Sequence, residues 1–138
     1  MAYPFINVWA VLAGTLALWV LGALWYSPVL FGKIWQKEVE FKEEKVTKGN
    51  MTMVFGLSFL LMIFMVWALN FVINSHKPED VSMLKGLHYG AFTGFFFSMM
   101  TMGINYLYQR RSVTLWLIDG FYMVFGLGIA GMILGGWR

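Results

Sequence analysis

Asp119 is the residue of this chain best placed to do chemistry, because it is the one charged residue inside any of four long apolar runs. From Met1 to Gly32, Gly49 to Ser75, Gly86 to Gln109 and Ser112 to Trp137 no other Asp, Glu, Lys or Arg occurs. An ionised carboxylate in hydrocarbon costs at least ~2.5–3.5 kcal/mol even on insertion scales, so it must be paired, protonated or hydrated. Counted along a helix starting near Val113, it lies about 9 Å from the end at 1.5 Å per residue. At similar depth the neighbouring runs offer Asn105 and Ser58, and Arg110 and Arg111 sit just beyond the boundary. Two readings follow. Asp119 lines a polar path for protons or cations with Asn105 and Ser58, or it is a structural anchor bonded to Asn105 or paired with an arginine.

His88 is the second candidate, with Asn7 and Asn70 at about its depth on two other runs. Such an outer polar layer suits a ligand headgroup or a proton relay, although headgroups wetting an interfacial histidine account for it equally well. His76, Glu79 and Asp80 together with His88 make a poor metal set, because two histidines without tight helical spacing do not converge on an ion. No metal or other cofactor is therefore expected. The chain has no cysteine, which removes disulfides, thiolate ligands and a thiol nucleophile. It also lacks a Ser-His-Asp order, an HExxH motif and a glycine-rich phosphate loop, so an enzyme is not expected.

These residues must be positioned by helices. Each apolar run exceeds the ~20 residues that cross a bilayer core. With 59% hydrophobic and 12% charged residues and a mean hydropathy of +0.67, the chain departs from soluble domains, which are about a quarter charged. Spans are expected at about 5–26, 51–73, 82–108 and 113–135. Pro28 ends the first. Between the first two, residues 31–48 place Phe31, Trp35, Val39 and Val46 at helical spacing among lysines and glutamates, the pattern of an amphipathic surface helix. The expected fold is all-α: an integral membrane four-helix transmembrane bundle with a cytoplasmic amphipathic surface helix. Seven Trp, six Tyr and thirteen Phe suit the membrane interface, with Trp25, Tyr26 and Trp35 as anchors. Seven basic residues in the 27–51 and 109–112 loops against three elsewhere put those loops in the cytoplasm and both termini outside. A net charge of +3, split between loops, does not suggest nucleic-acid binding. A first run without a basic start or a small-residue cleavage site is not expected to be a cleaved signal.

Glycines mark the packing surfaces. Gly86, Gly90 and Gly94 recur every four residues, and Ser98, Thr101 and Asn105 continue their side of an ideal helix, leaving His88, Phe92, Phe95, Met99, Met102 and Tyr106 opposite, toward lipid. Gly128, Gly131 and Gly135 mark one face of the last helix, roughly opposite Asp119, Tyr122, Gly126 and Ala130. Small residues in such register let helix backbones approach closely. Two specialised faces on one helix imply neighbours on both sides, which suggests a homo-oligomer.

The sequence Gly22, Ala23, Leu24, Trp25, Tyr26, Ser27, Pro28, followed by Phe31, Gly32, Lys33 and Trp35, and the ending from Ile129 to Arg138 (IAGMILGGWR) resemble the bacterial membrane family known as domain of unknown function 1761. The resemblance spans essentially the whole chain. It implies a four-span helical protein of the bacterial cytoplasmic membrane and transfers no catalytic or binding residues. The function expected is a homo-oligomeric channel or small proton- or cation-linked transporter. The alternative is a non-catalytic accessory or scaffolding subunit of a larger membrane complex. Either has the lipid bilayer as its first partner.

Overall fold

A computed structural model describes residues 6–39 and 48–137. In lipid a backbone is satisfied only within a helix or a closed barrel, and helices are what the apolar runs form. The elements are α1 (Val8–Trp25), α2 (Gly32–Val39), α3 (Lys48–Asn74), a single 3-10 turn (Pro78–Asp80), α4 (Met83–Thr93), a π-helical turn (Gly94–Met99), α5 (Met100–Tyr108) and α6 (Val113–Gly136). No strand occurs among the described residues. The chain is all-α, and α1, residues Met51–Asn74 of α3, and α6 are each long and apolar enough to cross a membrane. Of the surface segment expected at 31–48, α2 is its described part, and residues 40–47 lie outside the described residues.

The ends of three helices are fixed by side-chain caps that occupy orphan backbone amides. Asn7 accepts from Ala10 N at 3.2 Å, Ser82 from Lys85 N at 3.2 Å and Ser112 from Leu115 N at 3.1 Å. The link between α5 and α6 is short, and it turns with Arg110 at φ 56°, in the left-handed region.

The core is organised around α6: 56% of its apolar stretch is buried inside the protein, against 11% for that of α3. One face of α6 meets α4 along a seam of glycines. A Cβ on Gly86 would enter the backbone of Gly131, one on Gly90 the backbone of Leu127, and one on Gly94 would lie 2.7 Å from the Met123 carbonyl. The opposite face meets α1, where the Tyr122 hydroxyl donates to the Leu18 carbonyl at 2.7 Å and Gly14 lies against Ala130. Both specialised faces of α6 are therefore covered within one chain. The glycine stripes of α4 and α6 thus find their partners in each other, and do not by themselves call for a second copy. α3 joins the bundle mainly through α1, with Phe55 and Phe59 edge-on to Trp19 and Val66 against Gly14.

The π turn sets the register of everything beyond it. Residues facing α6 run Gly86, Gly90, Gly94, then Met99 against Gly120, Gly103 against Trp116, and Tyr106 against Asp119. The step from Gly94 to Met99 is one residue longer than the steps before it, as an i→i+5 turn requires. One added residue rotates the following helix by about 100°. Met99 is accordingly 1% exposed, and Tyr106 points inward, where an unbroken α-helix would have put both on the side away from α6. Asn105, expected on the inward stripe, is exposed. The Trp116 indole secures the shifted register by donating to the Met99 carbonyl at 2.8 Å.

Candidate functional site

The chain turns sharply after α1, and that turn builds one wall of the site. Phe31 N donates to the Trp25 carbonyl at 3.0 Å and Gly32 N to the Ser27 carbonyl at 2.9 Å, folding residues 25–32 back on themselves. Gly32 is required there, since a Cβ would lie 2.7 Å from the Ser27 carbonyl carbon and within the Tyr26 carbonyl. The Trp25 indole then donates to the Ile118 carbonyl at 3.0 Å. With its backbone held, Tyr26 is aimed at α6.

Asp119 is 8% exposed and is held from two sides. The Tyr26 hydroxyl donates to one carboxylate oxygen at 2.6 Å, and the Tyr106 hydroxyl donates to the other at 2.5 Å. Three elements, the α1 turn, α5 and α6, thus meet at one carboxylate. Both lengths fall in the range of O–H donors to a carboxylate oxygen, below the ~2.7–2.8 Å usual for O–H···O bonds. Tyr122 packs edge-on to Tyr26 with ring centroids 5.4 Å apart, and Trp35 of α2 does the same at 5.5 Å. Gly22 admits the Tyr122 ring, because a Cβ there would lie 2.7 Å from its hydroxyl. The carboxylate makes no ion pair among the described residues. A small carboxylate-and-phenol cluster of this kind can hold a proton or a small cation on oxygen.

The other expected site residues lie elsewhere. Ser58 is half-buried on α3, and neither it nor exposed Asn105 bonds Asp119. Asn70 is 4% exposed on α3. Asn7 caps α1 and donates to the Trp137 carbonyl at 3.2 Å. His88 is exposed and bonds the Leu84 carbonyl of its own helix at 2.8 Å, so these three do not form a connected layer. His76 instead stacks on Tyr89 at 4.3 Å. No group of His, Cys, Asp and Glu suited to a metal occurs among the described residues. Trp25, Tyr26 and Trp35, expected as interface anchors, surround the Asp119 cluster.

A family model described as "Protein of unknown function (DUF1761)" matches residues 9–135. The chain belongs to this DUF1761 family. Neither the curated proteins nor the solved structures include a match. The Trp25–Gly32 segment, which presents Tyr26 to Asp119, lies within the matched residues. Sequence reading missed Tyr106 because the π turn leaves no periodic signature, and it missed Tyr26 as a partner because 93 residues separate it from Asp119.

Proposed function

We propose that this DUF1761 protein is a four-span membrane bundle and a small proton- or cation-linked transporter with Asp119 at its centre. The four-span reading is supported by the antiparallel course of residues 86–106 beside α6: a rod that follows a span-length helix from end to end crosses with it. In a bacterial inner membrane, the bias of Lys and Arg supports an orientation with the Asp119 end at the cytoplasmic face and both termini outside.

One observation carries the transport reading: a buried carboxylate whose hydrogen bonds come from two phenols on different elements, with no ion pair among the described residues. An ionised Asp119 accepts from both tyrosines. A protonated one has a single O–H to donate and less capacity to accept, so one phenol must turn its own proton elsewhere. Loading a proton, or seating a small cation among the four oxygens, changes which bonds tie α1 and α5 to α6. Occupancy and helix packing are thereby linked, as a carrier requires.

The test is flux into proteoliposomes carrying a pH-sensitive dye, under an imposed proton or monovalent-cation gradient. The native chain should show flux that Asp119→Asn abolishes and Tyr26→Phe reduces, both variants remaining folded. Equal flux in the native chain and Asp119→Asn refutes the mechanism.

The second reading, an accessory subunit, is favoured by α3. Leu60, Leu61, Phe64, Trp67 and Phe71 are all exposed along this little-buried helix, which leaves it free to pack on another membrane protein or on a second copy of the chain. Co-purification of a stoichiometric partner that is lost when α3 alone is altered would support it.

A further inference from the structure

Beside the Asp119 cluster lies a shallow groove of about 180 Å³ between α5 and α6. Gly103, Tyr106 and Leu107 form one side, Val113 and Trp116 the other, and Arg111 closes the end. Its floor exists because Gly103 has no side chain: a Cβ there would meet the Trp116 indole at 3.0 Å. Leu107 and Val113 are 80% and 68% exposed, so the groove opens sideways.

Its charge is as one-sided as its walls are apolar. Arg110 and Arg111 are exposed, and neither has an ion-pair partner among the described residues. Arg111 donates through Nε to the Gln109 side chain at 2.9 Å, which steadies the guanidinium. The one ion pair among the described residues, Lys85 with Asp80, is at the far end of the bundle.

We infer that this groove holds an anionic phospholipid, with the phosphate on Arg110 and Arg111 and part of an acyl chain along Gly103 and Trp116. The inference rests on the membrane reading above, which puts the arginines at headgroup level and the groove at the level of the chains. Charge complementarity selects the occupant: Arg111 at the end of an apolar slot, with exposed Arg110 next to it in the chain and neither in an ion pair among the described residues, matches a molecule with an anionic head and a hydrocarbon tail. A partner helix, about 10 Å across, does not fit so small a slot. The site also has a consequence for Asp119. Tyr106 both lines the groove and donates to the carboxylate, so a bound lipid touches one of the two bonds that hold the cluster.

The experiment is native mass spectrometry of the full chain released from nanodiscs made with equal phosphatidylglycerol and phosphatidylcholine. One retained lipid per chain, enriched in phosphatidylglycerol, is expected. Arg111→Gln and Arg110→Gln should each cut that enrichment about fivefold, the usual strength of an interfacial arginine's attraction to anionic lipid. Leu107→Trp, which blocks the groove from its exposed rim without touching the core, should lower retention of both lipids. Equal retention of the two headgroups, or retention indifferent to Arg111→Gln and Leu107→Trp, overturns the proposal. Displacement of the lipid by millimolar inorganic phosphate overturns it too, in favour of a free-anion site. Failure of the chain to enter nanodiscs at all would strike the membrane reading first, and is told apart by the absence of protein rather than of lipid.

Discussion

The two phenols on Asp119 make a prediction that can be worked from the geometry. Polar contacts between membrane helices average ~0.6 kcal/mol and reach ~1.7 kcal/mol in measured cycles, while hydrogen bonds to charged groups lie at ~1.5–3 kcal/mol. The bonds to Asp119 are short, at 2.6 and 2.5 Å, and the carboxylate is 8% exposed, so they belong where those ranges meet. Tyr26→Phe and Tyr106→Phe should each cost about 1.5 kcal/mol. Each single change leaves the carboxylate one donor, whereas the double change leaves it none, and an unpartnered buried carboxylate is penalised by ~3–5 kcal/mol. The double variant should therefore exceed the sum of its parts by about 1 kcal/mol at the middle of that range.

The decisive comparison is made in an Asp119→Leu background. There the phenols have lost their acceptor, and an unsatisfied hydroxyl is itself unfavourable. Tyr26→Phe should then lose its cost and be neutral or stabilising. Reversible unfolding in bicelles at fixed pH and lipid composition measures all of these quantities. If Tyr26→Phe costs the same with leucine at 119 as with aspartate, the phenol acts through packing and the hydrogen-bond argument fails.

The glycine seam gives a second pair of expectations: Gly90→Ala, whose Cβ would fall on the Leu127 backbone, should cost about 1–3 kcal/mol as overpacking does, whereas Gly56→Ala, with nothing within 4 Å, should gain up to ~1 kcal/mol from helix propensity. Thermal unfolding of the two variants checks the contrast, and equal effects would mean that α4 and α6 do not meet at those residues. Gly32→Ala should open the turn that aims Tyr26 and so remove most of the cost of a further Tyr26→Phe change, which a cycle between these two positions tests.

How much of this could be read from the sequence depends on the range of the interaction. Exclusion of charge is local, and helices lie where it acts: residues 113–135 fall on Val113–Gly136 and 51–73 on Lys48–Asn74, whereas 82–108 is divided among α4, the π turn and α5. Glycine spacing is also local, and it picked out Gly86, Gly90, Gly94, Gly128, Gly131 and Gly135, which lie in or beside the α4–α6 seam. Their partners were less legible, because the same stripes suit a second copy as well as a second helix of the same chain. Asp119 stood out as the one charge in an apolar run, yet its partners did not. Tyr26 reaches it from a distant turn, and Tyr106 reaches it through a register change that no residue type announces.

That register change yields a test with a counterintuitive sign. The inward-facing residues after the π turn, Met99, Gly103 and Tyr106, already sit one position late. Deleting Phe96, an exposed residue within the π turn, removes the extra residue and leaves an unbroken α-helix in which those three residues still face α6. The deletion should therefore keep the bond from Tyr106 to Asp119, and Tyr106→Phe should still cost about 1.5 kcal/mol in the shortened chain. Inserting one alanine at the same place adds another rotation of about 100° and carries Tyr106 away from the carboxylate. After the insertion, Tyr106→Phe should cost nothing. A deletion is ordinarily the harsher change in a packed helix, so the opposite ranking here is a sharp signature. If the deletion abolishes the coupling or the insertion preserves it, the π turn is not what brings Tyr106, rather than Asn105, to Asp119.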